Sequence, residues 1–136
     1  MSIYVDTSAF LAVLNANDET HKKAKQVWID LIESLEAMVC NSYVLVETYA
    51  LLQNRLGMEA TRVFHEDIFP MLQLEWIDGT LHHEAVTAFI TANRRNLSLV
   101  DCASFVTMRR MGITKAFTFD KHYSEQGFHV FPALSE

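Results

Sequence analysis

Hydrophobic residues follow two alternating patterns along the chain. Short runs rich in β-branched and aromatic residues predict five strands, at 2–6, 37–41, 72–77, 115–119 and 128–131. Between these runs, apolar residues recur every three or four positions, which is typical of helices. The predicted helices cover 8–15, 19–36, 42–57, 58–70, 80–93 and 99–111, and a short helical turn precedes the last strand.

Residues at the segment ends support these boundaries. The polar stretch 17–20 supplies capping side chains for the second helix. Ser42 and Thr80 are expected to cap the helices that follow them. Pro70 is expected to end one helix and Gly112 to close another.

The order of the elements predicts the fold class. Strands that alternate with helices indicate an α/β protein, here with a central, mostly parallel five-stranded sheet flanked by helices. The 136 residues contain only four glycines and two prolines, so we expect a single domain over 1–136 without long linkers. Ligands of such sheets bind beyond the carboxyl ends of the strands. A functional site is therefore expected at that rim.

Composition narrows the classes of function. Hydrophobic residues make up 50% and charged residues 21%, as in ordinary globular proteins. The formal net charge of −6 disfavours a protein that coats nucleic acid, but it is compatible with a nuclease that works through bound cations. Cys40 and Cys102 match no zinc or redox spacing, which suits a reducing cytosol. No leader and no membrane span are predicted, so we expect a cytoplasmic protein that does not contact membranes.

Four acidic residues occupy positions that a parallel sheet could bring to one rim. Asp6 and Asp120 end the first and fourth strands, Glu47 lies on an apolar helix face, and Asp101 starts a helix. Each has an ordinary explanation alone: a turn or cap for the aspartates, and solvent or an arginine partner for Glu47. If all four converge, they stay ionised together only beside cations, and oxygen ligands select Mg²⁺ or Mn²⁺. Metal-assisted hydrolysis of a phosphodiester is the reaction that fits.

The sequence around these acids resembles the PIN-domain nucleases, and in particular the VapC-like toxins of toxin–antitoxin pairs. The similar stretches are Val5-Asp6-Thr7-Ser8, Val46-Glu47-Thr48, Leu97-Ser98-Leu99-Val100-Asp101 and Phe117-Thr118-Phe119-Asp120. The resemblance extends over nearly the whole chain. It depends on four short motifs in the right order, because each motif alone is weak.

The resemblance implies a PIN-like fold and an endoribonuclease that depends on Mg²⁺ or Mn²⁺. It implies that Asp6, Glu47, Asp101 and Asp120 are the catalytic, metal-binding residues, and that the Ser8 and Thr118 hydroxyls support them. RNA is then the substrate, a homodimer is expected, and a cognate antitoxin is a possible partner. Two alternatives stay open: a PIN nuclease that processes RNA without an antitoxin, and a non-enzymatic, Mg²⁺-binding receiver-like module that uses Asp78 after the third strand.

Other polar and aromatic residues receive simpler interpretations. His82 and His83 lack the helical spacing of a zinc protease and are expected at the surface. His122 is interpreted as an exposed turn residue. Tyr4 and Tyr123 could stack on bases, but packing in the core is the better explanation.

Overall fold

A five-stranded sheet forms the centre of the protein. The computed structural model describes residues 1–134, and its strands are β1 (Ser2–Val5), β2 (Ala37–Asn41), β3 (Leu72–Glu75), β4 (Lys115–Phe117) and β5 (His129–Phe131). Their order in the sheet is β3-β2-β1-β4-β5, and all neighbouring strands are parallel. The predicted α/β fold is thus confirmed, while the last two residues of the predicted domain, 135–136, lie outside the described residues.

Helices connect and flank these strands. They are α1 (Thr7–Leu14), α2 (His21–Ser34), α3 (Ser42–Arg55), α4 (Met58–Val63), α5 (Gly79–Ala92), α6 (Leu99–Met111) and α7 (His122–Glu125). The predicted single helix over 58–70 is wrong in detail. After α4 the chain continues as a π-helical segment, Phe64–Ile68, and a 3₁₀ turn, Phe69–Met71. Pro70 has no backbone N–H, so an α-helix cannot continue through this turn.

Two strands end two residues earlier than predicted because side chains take over the backbone donors. β3 ends at Glu75, and the N–H of Ile77 donates to Ser42 Oγ (2.9 Å). β4 ends at Phe117, and the N–H of Phe119 donates to Ser8 Oγ (2.9 Å). The chain therefore leaves the sheet at its carboxyl rim, where the predicted site lies.

Two predicted N-caps are displaced toward the strand ends. The side chain of Asn41, not that of Ser42, caps α3 by accepting from the N–H of Val44 (2.9 Å). Asp78, not Thr80, caps α5 by accepting from the N–H of Leu81 (2.8 Å). The side-chain oxygens of Asn41 and Asp78 reach free N–H groups in the first turn of each helix. The hydroxyls of Ser42, one residue later, and of Thr80, two residues later, do not cap these helices.

The central strand β1 lies inside the main hydrophobic core, and its residues Ile3, Tyr4 and Val5 are buried. The chain passes from β1 to β2 on one side, whereas β4 lies on the other side. This reversal of strand order opens a crevice between the carboxyl ends of β1 and β4, where open α/β sheets bind ligands. Across residues 1–134, no helix has the length and apolar character needed to span a membrane.

Candidate metal centre

Asp6 lies at the base of the crevice and is oriented by three hydroxyl groups. It follows β1 directly and is only 5% exposed. Its Oδ2 accepts hydrogen bonds from Ser8 Oγ (2.8 Å) and Thr118 Oγ1 (3.0 Å), and its Oδ1 accepts one from the Tyr123 hydroxyl (3.0 Å). Each carboxylate oxygen has two lone pairs, so this pattern leaves one acceptor site free, on Oδ1.

The two small hydroxyls also fix the loop that follows β4. Ser8 Oγ accepts from the backbone N–H of Phe119, and Thr118 Oγ1 accepts from that of Asp120, each at 2.9 Å. Each hydroxyl thus donates its own proton to Asp6 and accepts one backbone N–H of the loop. Ser8 and Thr118 therefore join Asp6 rigidly to the segment that contains Asp120.

His122 is buried against the same acids. The prediction that it is an exposed turn residue is wrong, since only 7% of its surface is exposed. Its backbone N–H donates to Asp120 Oδ1 (2.9 Å), which folds the start of α7 back toward the site. Its ring Nδ1 then lies 2.9 Å from Asp120 Oδ1 and 3.8 Å from Asp101 Oδ2.

Asp101 reaches the crevice from the first turn of α6. Its Oδ2 accepts from the N–H of Ser98 (3.1 Å), and its own N–H donates to Ser98 Oγ (3.0 Å), which confirms the predicted capping box. Asp101 thus both caps the start of α6 and contributes a carboxylate to the site. Burial raises the pKa of Asp101 to about 6, and the negative charges of Asp120 and Asp6 add to the increase.

Glu47 approaches from α3 and is partly buried. Burial raises its pKa, the charges of Asp6 and Asp120 raise it further, and Arg55 partly opposes them. Its carboxylate therefore lies within the electrostatic range of both aspartates. In the part of the chain that the structure describes, Glu47 forms no ion pair with an arginine, whereas its partial exposure agrees with the other ordinary explanation, access to solvent.

The site contains more negative charge than its surroundings neutralise. Burial is also the main cause of the raised pKa of Asp6, and the charge of Asp120 contributes. Among residues 1–134, no lysine or arginine forms an ion pair with any of the four acids. Ligand atoms of Asp101, Asp120 and His122 lie within 4.8 Å of one another. These oxygens and one imidazole fit a divalent cation, which would supply the missing positive charge.

Two polar groups of the site were not predicted from the sequence. Tyr123 is fully buried, as expected, but its hydroxyl contacts Asp6 and does not merely fill the core. The only sequence signal for His122 was its position two residues after Asp120. The sequence does not show in which direction the side chains of Tyr123 and His122 point, because that depends on how α7 packs against α6.

The receiver-like alternative finds no support at Asp78. A receiver needs that aspartate free at the end of the third strand to accept a phosphoryl group. Here the Asp78 side chain caps α5, three residues beyond the end of β3. The acids that converge are those of the crevice between β1 and β4.

A parallel α/β sheet with an acidic cluster at its switch point suits a metal-dependent nuclease. The profile of the PIN domain family matches residues 3–128, and the chain belongs to this family. A relative from Mycobacterium tuberculosis, the 23S rRNA-specific endonuclease VapC20, is 32% identical over 127 residues, which cover 93% of this chain and 95% of the relative. The prediction of a PIN-type, VapC-like ribonuclease is thus confirmed.

Solved structures agree with this assignment. The crystal structure of M. tuberculosis VapC20, described as a sarcin-ricin loop cleaving toxin, matches with a TM-score of 0.82 and 32% identity over 93% of this chain and 96% of that chain. FitAcB from Neisseria gonorrhoeae matches with a TM-score of 0.67 over 95% of this chain and 96% of that chain. Its identity is only 13%, so this second similarity concerns the fold alone.

Proposed function

We propose that this protein is a metal-dependent endoribonuclease that cleaves ribosomal RNA and acts as the toxin of a toxin–antitoxin pair. The similarity to VapC20, which is named for cleavage of 23S rRNA, supports the choice of substrate. The single observation that carries the proposal is the convergence of carboxylates from four separate elements on one crevice, where no lysine or arginine of residues 1–134 forms an ion pair with them.

The side chains of the crevice have distinct tasks in this proposal. Asp6, Asp101 and Asp120 would hold Mg²⁺ or Mn²⁺, with Glu47 at the edge of the site. When bound, the ion supplies a water of lowered pKa and a positive charge against the phosphate oxygens. Glu47 lies at the edge of the site and has a raised pKa, so it is the carboxylate suited to take up a proton from the attacking water.

A groove beside Asp120 could bind the RNA strand. It is lined by Lys121, which is suited to phosphate groups, and by Phe119, whose partly exposed ring is suited to a base. The protein has a net charge of −6, so its overall charge does not attract RNA. Positively charged side chains close to the site must therefore position the RNA strand. We therefore propose that RNA enters the site across this groove.

Partners and location follow the same proposal. We propose a cognate antitoxin, a homodimer and a cytoplasmic location, where ribosomal RNA is available. The exposed side chains of Val46 (64%), Trp76 (71%) and Ile90 (66%) provide apolar surface that association would bury. Sedimentation velocity measures the oligomeric state, and a monomer at all concentrations would contradict the homodimer.

Cleavage of ribosomal RNA tests the proposed activity. Purified ribosomes are incubated with the protein and Mn²⁺, and new RNA ends are mapped by primer extension. Wild-type protein and Asp67→Asn, which changes an exposed acid outside the crevice, should produce the same discrete ends. Asp101→Asn should produce none. The ribosomal substrate is wrong if no new end appears while another RNA is cut, and the nuclease itself is wrong if no RNA is cut.

Induced expression separates the toxin from an RNA-processing enzyme. The toxin should arrest growth when it is expressed alone, and Asp101→Asn should not. Normal growth of cells that contain active wild-type protein would favour the processing alternative.

A further inference from the structure

We propose that His122 is a direct ligand of the metal centre, through Nδ1, and that this nitrogen makes the centre prefer Mn²⁺ over Mg²⁺. The inference rests on the proposed metal-dependent function and adds a residue to it. It assigns a nitrogen donor to a centre whose other predicted ligands are all carboxylate oxygens.

The environment of the His122 ring is unusual for a structural histidine. The residue is 7% exposed, and neither Nδ1 nor Nε2 has a hydrogen-bond partner among the described residues. A polar atom that is buried without a partner destabilises the folded state. Such a ring is explained if one nitrogen binds a cation that completes the site.

The position of Nδ1 fits coordination better than it fits a hydrogen bond. Nδ1 lies 2.9 Å from Asp120 Oδ1, but the contact does not have the directional geometry of a hydrogen bond. In an octahedral site with bonds of about 2.1 Å, adjacent ligand atoms are about 3 Å apart and opposite ones about 4.2 Å apart. The 2.9 Å contact matches an adjacent pair. The 3.8 Å separation from Asp101 Oδ2 lies between the two values.

The second ring nitrogen faces a different group. Nε2 lies 3.9 Å from Glu125 Oε1, and the other oxygen of Glu125, Oε2, lies 3.6 Å from Arg94. When a cation occupies the site, the proton of the neutral ring belongs on Nε2, on the side of Glu125, and the Nδ1 lone pair is left for the cation. Glu125 is thus the acceptor nearest to Nε2, although 3.9 Å is too long for a direct hydrogen bond.

A nitrogen ligand changes which ion binds best. Mg²⁺ binds oxygen almost exclusively, whereas imidazole is a good ligand of transition metals such as Mn²⁺. Replacing His122 with asparagine puts an amide oxygen close to the position of Nδ1 and retains side-chain polarity. We expect His122→Asn to weaken Mn²⁺ binding by roughly tenfold. Mg²⁺ binding should change much less, by less than about threefold.

Electron spin echo envelope modulation tests the direct bond without a measurement of activity. Metal-free protein is loaded with Mn²⁺, and coupling of the electron spin to a coordinated ¹⁴N nucleus is recorded for the wild type, for His122→Asn and for His129→Gln. His129 is an exposed control at the start of β5, away from the carboxyl rim of the sheet, and its ring stacks on Phe131. Circular dichroism shows that each variant is folded, and calorimetry gives the affinity for each ion.

The proposal predicts ¹⁴N coupling in the wild type and His129→Gln, and its loss in His122→Asn together with the loss of Mn²⁺ preference. Absence of coupling in the Mn²⁺-loaded wild type, or its persistence in folded His122→Asn, would overturn it. If His122→Asn does not fold, His122→Gln takes its place, and ¹⁵N labelling of the six histidines in the wild type must change the coupling from ¹⁴N to ¹⁵N. Cleavage of RNA that stops with EDTA in protein without nitrogen coupling would reject this ligand and retain the nuclease.

Discussion

The hydroxyl of Tyr123 donates a hydrogen bond to Asp6 Oδ1 over 3.0 Å and joins two residues that are 117 positions apart. Both side chains are buried. The bond stabilises the ionised form of a carboxylate whose pKa is raised by burial and by Asp120. Tyr123 therefore helps Ser8 and Thr118 to orient the central acid and to keep it ionised.

Removal of this hydroxyl should weaken metal binding. In Tyr123→Phe, Asp6 loses one donor, so its pKa should rise further and its affinity for Mn²⁺ should fall by roughly tenfold. The free energy of unfolding should fall by about 1 kcal/mol. Calorimetry and urea unfolding measure the two effects. Tyr49→Phe, which removes a hydroxyl that contacts His65 outside the crevice, is the matched control and should bind Mn²⁺ normally. Unchanged affinity in Tyr123→Phe would contradict the assigned role.

Thr118 should be required for its hydroxyl and not for its shape. Thr118→Val keeps the volume, but it removes the donor to Asp6 and the acceptor for the N–H of Asp120. We expect RNA cleavage to fall by about 10–100-fold in Thr118→Val. Thr118→Ser should restore most of it. Equal activities of the two variants would show that the hydroxyl is not needed.

The metal-free protein should be destabilised by its own acidic site. The pKa of Asp101 is raised from 3.8 to about 6, so the folded state binds this proton more tightly than the unfolded state does. The resulting stabilisation is complete at low pH and is lost as the pH rises through about 6. In EDTA at pH 7, Asp101→Asn should therefore be more stable than the wild type by roughly 1 kcal/mol, a value reduced for the partial exposure of the group.

Thermal unfolding at several pH values measures this difference. The asparagine oxygen can still accept from the N–H of Ser98, so the helix cap is retained. Near pH 4 the advantage of Asp101→Asn should disappear, and Mn²⁺ at pH 7 should stabilise the wild type more than the variant. If Asp101→Asn is less stable than the wild type in EDTA at pH 7, the claim that the charges of the metal-free site are not neutralised is wrong.

Asn41 should be the main polar support of the rim. Its Oδ1 caps α3, which contains Glu47, and its Nδ2 donates to Thr107 Oγ1 of α6, which contains Asp101. Asn41→Ala removes both bonds from a fully buried position, so the free energy of unfolding should fall by about 2–3 kcal/mol. The exposed Asn54→Ala on α3 should change it by less than about 0.5 kcal/mol. Similar values for both variants in urea unfolding would contradict this role.

Periodicity and end signals predicted the sheet, because strand and helix patterns alternate clearly and parallel strands place their carboxyl ends on one rim. Asp6, Glu47, Asp101 and Asp120 could be selected for the same reason, since each position is defined by an element boundary or by an acid on an apolar face. Their roles as ligands remain a proposal. The capping box at Ser98 was predicted because both of its partners are local in sequence.

Features that depend on tertiary packing could not be predicted from the sequence pattern. The burial of His122 follows from the backbone bond to Asp120 and from the position of α7, and the residue alone resembles any polar turn residue. The contact of Tyr123 with Asp6 connects opposite ends of the chain. The ends of β3 and β4 depend on the distant Ser42 and Ser8 hydroxyls, which compete for backbone donors that a local pattern assigns to strands.

Metal add-back is the most direct test of the central claim that the crevice acids work by holding a divalent ion. Metal-stripped protein is mixed with ribosomal RNA, and cleavage is measured before and after addition of Mn²⁺, for the wild type and for Asp6→Asn. The account predicts no cleavage without metal, restored cleavage by the wild type after Mn²⁺ is added, and none by folded Asp6→Asn. Full cleavage by the stripped wild type, or by Asp6→Asn with Mn²⁺, would contradict it.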